Sequence, residues 1–198
     1  MARKEVLNLY SGLGGNRWLW TDVNVTAVEI NPDVAEFYAA QFPDDRVIVG
    51  DAHEVLEKAV DKYDFIWSSP PCQSHTRMVG VNGMRKYPDL KLYEEILFLQ
   101  RFCKADWVVE NVVPYYKPLI HGEARGRHMF WSNRYIPEFN TRRIPDLMNI
   151  TSREALEDAL GIVVGKNIYL DSNDPLKVLR NCVHPELGKE IFEICTGR

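Results

Sequence analysis

A chain of 198 residues, 45% hydrophobic and 26% charged, has the composition of one soluble globular domain with room for a sizeable core. No apolar run is long enough to cross a bilayer and the start Met1-Ala-Arg-Lys-Glu5 leads into no signal-peptide core, so a cytoplasmic protein with no membrane partner is expected. The formal net charge of −4 excludes a global basic field, so any nucleic-acid partner must be held by local positive clusters.

Lys4–Tyr10 reads as a strand, followed by the glycine turn Ser11-Gly-Leu-Gly-Gly15 and a helix through Trp18–Trp20. Glycines there let backbone approach a ligand closely, and the spacing lacks the third glycine of a pyrophosphate cradle, which argues against a dinucleotide enzyme. Asn24–Ile30 is a second strand. Glu29 near its end suits a pair of ribose hydroxyls, or is a surface carboxylate. Asn31 as cap and Pro32 at the first helical position predict a helix to about Gln41. Arg46–Gly50 is a third strand. Asp51 just past it either accepts from an adenine amino group or caps a helix over His53–Lys58.

The apolar run Tyr63–Trp67 stops at Pro70 and Pro71, which donate no amide hydrogen and cannot continue a ladder. Cys72 then falls on a rigid turn at the carboxyl edge of a sheet, where open α/β folds bind ligands, and is either a nucleophile or an ordinary loop thiol. Cys72, Cys103, Cys182 and Cys195 are far apart and form no Cys-x-x-Cys pair, so neither a disulfide framework nor a metal is expected. Residues 74–88 form a polar loop with Arg77, Arg85 and Lys86, suited to phosphate contacts or to plain solvation. Asp89 caps a helix over Leu90–Cys103 whose apolar residues include Leu92, Ile96 and Leu99.

Ala105–Val113 is a fifth strand, largely apolar apart from Glu110 and Asn111. A carboxyl inside so apolar a stretch is costly unless paired or used, and burial favours its proton-bearing form. His121–His128 is polar; Met129–Trp131 and Tyr135–Ile136 suggest one or two strands. Arg125, Arg127, Arg134, Arg142 and Arg143 make the densest positive patch. Thr151-Ser-Arg-Glu154 reads as a capping box opening a helix to Leu160 with Gly161 as its stop, and Asp174-Pro175 and His184-Pro185 each open a further helix.

Strands alternating with helices, and ligand-type residues at successive strand ends, predict an α/β fold with a Rossmann-like, doubly wound, mostly parallel sheet and a small C-terminal appendage. In that order Tyr10-Ser-Gly-Leu-Gly-Gly15, Glu29, Asp51, Pro70-Pro-Cys-Gln73, Glu110-Asn-Val112, Arg125-Gly-Arg127 and Asn181-Cys-Val183 resemble the DNA (cytosine-5) methyltransferases. The resemblance implies methyl transfer from S-adenosyl-L-methionine to carbon 5 of a flipped cytosine in DNA. Cys72 would be the nucleophile, Glu110 the acid at ring nitrogen 3, Arg127 the partner of the ring carbonyl and Arg125 its support. It further implies that Tyr10, Ser11, Gly12, Gly14 and Gly15 lie along the cofactor. Glu29 and Ile30 would take its ribose and adenine side, Asp51 and Ala52 its adenine amino edge, Pro71 and Leu92 a wall, and Asn181 and Val183 the C-terminal closure.

The chain departs from that family in places. Glu123 stands where the family has Gln, and only residues 112–124 separate the Glu-Asn-Val and Arg-x-Arg motifs. The expected division is a catalytic and cofactor-binding domain over 1–132, a reduced target-recognition region over 133–175 and C-terminal helices over 176–198 packing back on the first. A homodimer or a helper protein would compensate for so small a recognition region. Two other readings stand beside DNA: an RNA (tRNA) cytosine-5 methyltransferase, and a non-catalytic nucleic-acid-binding protein on the same fold.

Overall fold

A computed structural model describes residues 2–76, 87–141, 144–164 and 176–198. Among these, seven strands form one sheet: β1 (Lys4–Leu9), β2 (Val23–Glu29), β3 (Arg46–Val49), β4 (Phe65–Ser68), β5 (Asp106–Val112), β6 (Glu123–Arg125) and β7 (His128–Ser132). Their order is β3-β2-β1-β4-β5-β7-β6. The pairs linking β1 to β5 are all parallel, while β7 runs antiparallel to both β5 and β6. The helices are α1 (Pro32–Gln41), α2 (Ala52–Ala59), α3 (Lys91–Phe102), α4 (Arg153–Leu160), α5 (Lys177–Arg180) and α6 (Pro185–Thr196). This is the α/β, doubly wound arrangement expected from the alternation of elements.

Parallel strands covered on both faces need apolar residues at successive positions, and β4 shows why. Ile66 joins Leu7, Leu9, Trp107 and Val109 against Leu56 of α2 and Leu92, Ile96 and Leu99 of α3. Its neighbours Phe65 and Trp67 point the other way, joining Val6, Val108 and Phe130 against Leu187, Ile191 and Phe192 of α6. A third cluster joins Leu13 and Val34 to Leu156 and Leu160 of α4 and to Val178 and Leu179 of α5.

Several local expectations are met at their caps. Asn31 accepts from Asp33 and Val34 to open α1, Asp51 from His53 to open α2, and His184 precedes Pro185 at the start of α6. Others shift. Ser152, not Thr151, caps α4 by accepting from Ala155 N, and Gly161 ends it at φ +66°. α3 starts at Lys91 with no side-chain cap; Asp89 instead accepts from Lys91 N at 3.1 Å.

Residues 10–22 are successive turns, not a helix: Arg17 N donates to Gly14 O and Trp20 N to Arg17 O, each at 3.0 Å. Tertiary packing overrides local propensity here. Gly188 of α6 rests so closely on Asn16 that a Cβ would come within 2.4 Å of its carbonyl oxygen. Trp20 stacks on Phe192 at 4.8 Å and donates its indole hydrogen to Gly188 O at 3.1 Å. The polar stretch before His128 yields edge strand β6, whereas Tyr135–Ile136 forms no strand. The Arg125 guanidinium binds the carbonyls of Ile136 and Pro137 in place of a ladder. Asp174-Pro175 and the basic residues Arg77, Arg85, Lys86, Arg142 and Arg143 lie outside the described residues, and a short helix follows that pair as α5.

Since β1 to β5 are parallel, their carboxyl ends share one edge, and the strand order reverses between β1 and β4. A crevice opens at that switch point.

Candidate active site

The register sets Leu9 beside Ser68 and Ser68 beside Val109, so Tyr10 and Ser69, just past their strands, stand at one level with Glu110 of β5. Beyond Ser68 the two prolines end pairing, and Asn111 Nδ2 donates to Pro70 O at 2.9 Å, fastening the loop to β5. The Cys72 carbonyl accepts from His75 N at 2.9 Å and Thr76 N at 3.1 Å, a single turn that fixes the cysteine. The Cys72 thiol is pushed above its ordinary range by burial and then by the Glu110 charge, while Arg127 and Lys177 pull the other way. Cys182, packed in the third cluster at the back of the crevice, is pushed up to about 12 by burial, which disfavours its thiolate.

Glu110 lies opposite Phe130, so His128 is its diagonal neighbour on the same face of the β5–β7 pair. Its Oε1 is 2.6 Å from His128 Nδ1, and both side chains are largely buried. Arg127 precedes it in the β6–β7 turn; its Nη1 donates to Asp146 Oδ1 at 2.8 Å. Arg125 faces the other way. It is buried, and its guanidinium donates to the carbonyls of Ala124, Ile136 and Pro137 and to Glu123.

At the end of β1, Tyr10 adopts φ +55°, a left-handed conformation rare for a bulky residue. Its hydroxyl donates to Glu95 of α3, a carboxylate with no solvent exposure that also accepts from Ser68 Oγ at 2.7 Å and lies 3.4 Å from His53 Nδ1. Burial and then the Glu95 charge hold the Tyr10 phenol far above its usual range. Glu29 accepts from Gly12 N and Asn31 N, each at 2.9 Å, so its carboxylate is fixed at the lip of the crevice.

Two adjoining hollows fill this crevice. One, of about 250 Å³, brings together Cys72, Glu110 and Arg127 with Ser11, Gly12, Gly15, Glu29, Asn181 and Val183. The second, of about 190 Å³, is lined by Asp51, Ala52 and Leu92. Tyr10, Ile30, Pro70 and Pro71 belong to both walls. Gly14 and Arg125 reach neither. A Cβ on Gly14 would strike Phe42 at 2.5 Å, and Arg125 lines a separate cavity of about 350 Å³ behind Arg127 and His128.

Three residues given no role by the sequence now stand out. Glu95 falls three positions after Leu92 and four before Leu99, so helical spacing alone placed it on the core face. His75 is buried in the Cys72 turn, with Nδ1 2.6 Å from the Tyr116 hydroxyl. His128 carried no signal beyond standing next to Arg127, since its pairing depends on the β5–β7 register.

These features define an α/β protein whose switch-point crevice holds a two-part hollow with a cysteine, a carboxyl and a guanidinium at one end. Residues 5–113 match the model of the C-5 cytosine-specific DNA methylases, and the chain belongs to that family. A stretch of 80 residues is 32% identical to the tRNA (cytosine(38)-C(5))-methyltransferase of Spodoptera frugiperda, covering 37% of this chain and 24% of that protein. The match thus spans about a quarter of that curated relative's length. Among solved structures, a mutant of Spodoptera frugiperda DNMT2 is 29% identical with a TM-score of 0.40, over 55% of this chain and 35% of that one. A SAM-dependent methyltransferase from Agrobacterium tumefaciens is 18% identical with a TM-score of 0.44, over 58% and 40% of the two chains.

S-adenosylmethionine is the cofactor of this family, and the residues present fit it. Ser11 Oγ is buried in the crevice wall with no hydrogen-bond partner among the described residues. Gly12, at φ +52°, has nothing within 4 Å of where a Cβ would stand, so the backbone there is open to a ligand.

Proposed function

We propose that the chain transfers a methyl group to carbon 5 of cytosine in DNA, using Cys72 as nucleophile. One observation carries this reading: Cys72, Glu110 and Arg127 line one hollow that shares Tyr10 and Pro71 with the hollow at Asp51. The Ser11–Gly15 loop would hold the methionine part of the cofactor, Glu29 the ribose hydroxyls and Asp51 the adenine amino group, with Ile30, Ala52 and Leu92 against the ring. Asn181 and Val183 would close the crevice. When bound there, S-adenosylmethionine supplies an electrophilic methyl group.

The target base must leave its stack, at a cost of about a few kcal/mol. Cys72, as thiolate, forms a bond to carbon 6, and the electron pair of the 5,6 double bond moves onto carbon 5 and into the ring. Glu110 passes its proton to ring nitrogen 3 as charge builds there, and Arg127 faces the ring carbonyl. Once carbon 5 carries the methyl group, its proton is lost to water or hydroxide, and return of the nitrogen 3 proton to Glu110 restores the ring double bonds as the Cys72 thiolate is expelled. Arg125 supports the turn that presents Arg127. Residues 133–175 are assigned to target recognition, and a homodimer or helper protein would extend so small a surface.

A second reading, a transfer-RNA substrate, is favoured by the similarity to the tRNA (cytosine(38)-C(5))-methyltransferase of Spodoptera frugiperda. Labelled methyl incorporation into duplex DNA and into RNA separates the two. Incorporation into DNA alone, together with a covalent adduct on 5-fluorocytosine DNA that Cys72→Ala abolishes, is expected. Incorporation only into RNA moves the substrate; no adduct with either removes the cysteine mechanism. Bisulfite mapping after expression in a methylation-free bacterium then gives the recognition sequence.

A further inference from the structure

We propose that His128 is a positioning residue that decides which oxygen of Glu110 carries the catalytic proton. The inference rests on the cytosine-5 reading above. Nδ1 of His128 and Oε1 of Glu110 are 2.6 Å apart, a distance that admits one hydrogen between them. If that hydrogen belonged to Glu110, the acid would have spent its only proton on the imidazole and would face the base with an acceptor. A His128 tautomer with hydrogen on Nδ1 reverses this. It donates to Oε1 and leaves the Glu110 proton on Oε2, free to be offered to ring nitrogen 3. After that proton has moved to the base, the same Nδ1–H remains to hold the carboxylate.

The placement supports this division of labour. His128 borders both the hollow that contains Cys72 and the larger cavity behind it, so it forms the partition on which Glu110 leans. The other charged or titratable groups around that partition are committed or distant in role. Arg127 donates to Asp146, Arg125 to backbone carbonyls, His184 faces the Ala159 carbonyl, and Cys72 is the nucleophile itself. The His128 ring is hydrogen-bonded to the Glu110 carboxylate at the edge of the hollow.

The test compares His128→Phe, which deletes the donor, with His128→Asn, whose amide reaches the Nδ1 position. Methyl transfer to the accepted nucleic acid and the imidazole signals of the 15N-labelled protein are both recorded. The expected result is a drop in kcat of at least about tenfold for His128→Phe, with KM for S-adenosylmethionine unchanged, and substantial recovery in His128→Asn. A protected Nδ1–H resonance is expected in the wild type and should vanish in Glu110→Leu. If His128→Phe does not fold, His128→Gln replaces it, since that amide extends toward Nε2 and should fail to rescue. A wild-type kcat in the donor-deleted variant overturns the proposal, as does an Nδ1–H resonance indifferent to Glu110→Leu. A wild-type chain that methylates neither DNA nor RNA overturns the underlying reading, and the proposal with it.

Discussion

The Cys72 thiol and the Glu110 carboxyl act on each other across one hollow, and the sign of that coupling is testable. A negative Glu110 raises the Cys72 thiol, so removing the charge must lower it. Glu110→Gln is therefore expected to move the pH midpoint of Cys72 alkylation by iodoacetamide to lower pH, read with Cys72→Ala as blank. An unchanged midpoint would mean that the Glu110 charge does not reach the thiol, and a higher one would reverse the sign of the coupling. At this scale the sequence was informative wherever chemistry and position coincide: a cysteine after two prolines and a carboxyl in an apolar strand advertise themselves. It was silent where a role is created by a partner distant in the chain. Glu95 becomes a buried hub only because Tyr10 and Ser68 converge on it from β1 and β4. His128 gains its meaning from a strand register, and Arg125 loses a place in the hollow because backbone carbonyls claim its donors.

Elements whose ends are written in local chemistry were legible. Asn31-Pro32 and His184-Pro185 open α1 and α6 where expected because the cap and the ring act within a few residues. The segment after the glycine turn was not legible, since its helical spacing yields to α6 lying against it. The same crowding gives the glycine turn a second duty. A Cβ on Gly15 would stand 2.3 Å from both Cys182 Sγ and the Val183 carbonyl oxygen, at the α5–α6 junction. Gly15→Ala is expected to lower stability by about 1–3 kcal/mol, seen as a lower urea midpoint at unchanged slope. A midpoint equal to wild type would show that the junction yields freely and that the glycine serves the ligand alone.

For the whole molecule, the crevice is assembled from five strand ends and closed by residues near α5, so a ligand there should stabilise the folded chain as a unit. S-adenosylhomocysteine at about a hundred times its Kd is expected to add about 2.7 kcal/mol to the unfolding free energy by mass action. Substituting Asp51 or Glu29 by Ala should erode that gain in a thermal shift series. A wild type whose melting temperature ignores the ligand would disprove the site. Fold class was readable at this scale because alternating elements leave few parallel topologies. At the antiparallel end of the sheet β7 was readable in Met129–Trp131, whereas β6 was not, because it is short, polar and defined by its pairing with β7.

α6 has one more consequence. It covers Phe65, Trp67 and Val108, and the two aromatic residues precede it by more than half the chain. Until the ribosome has released α6, that aromatic surface of the nascent sheet has no cover. Synthesis should therefore pass through a long interval in which the polypeptide is sticky and dependent on chaperones.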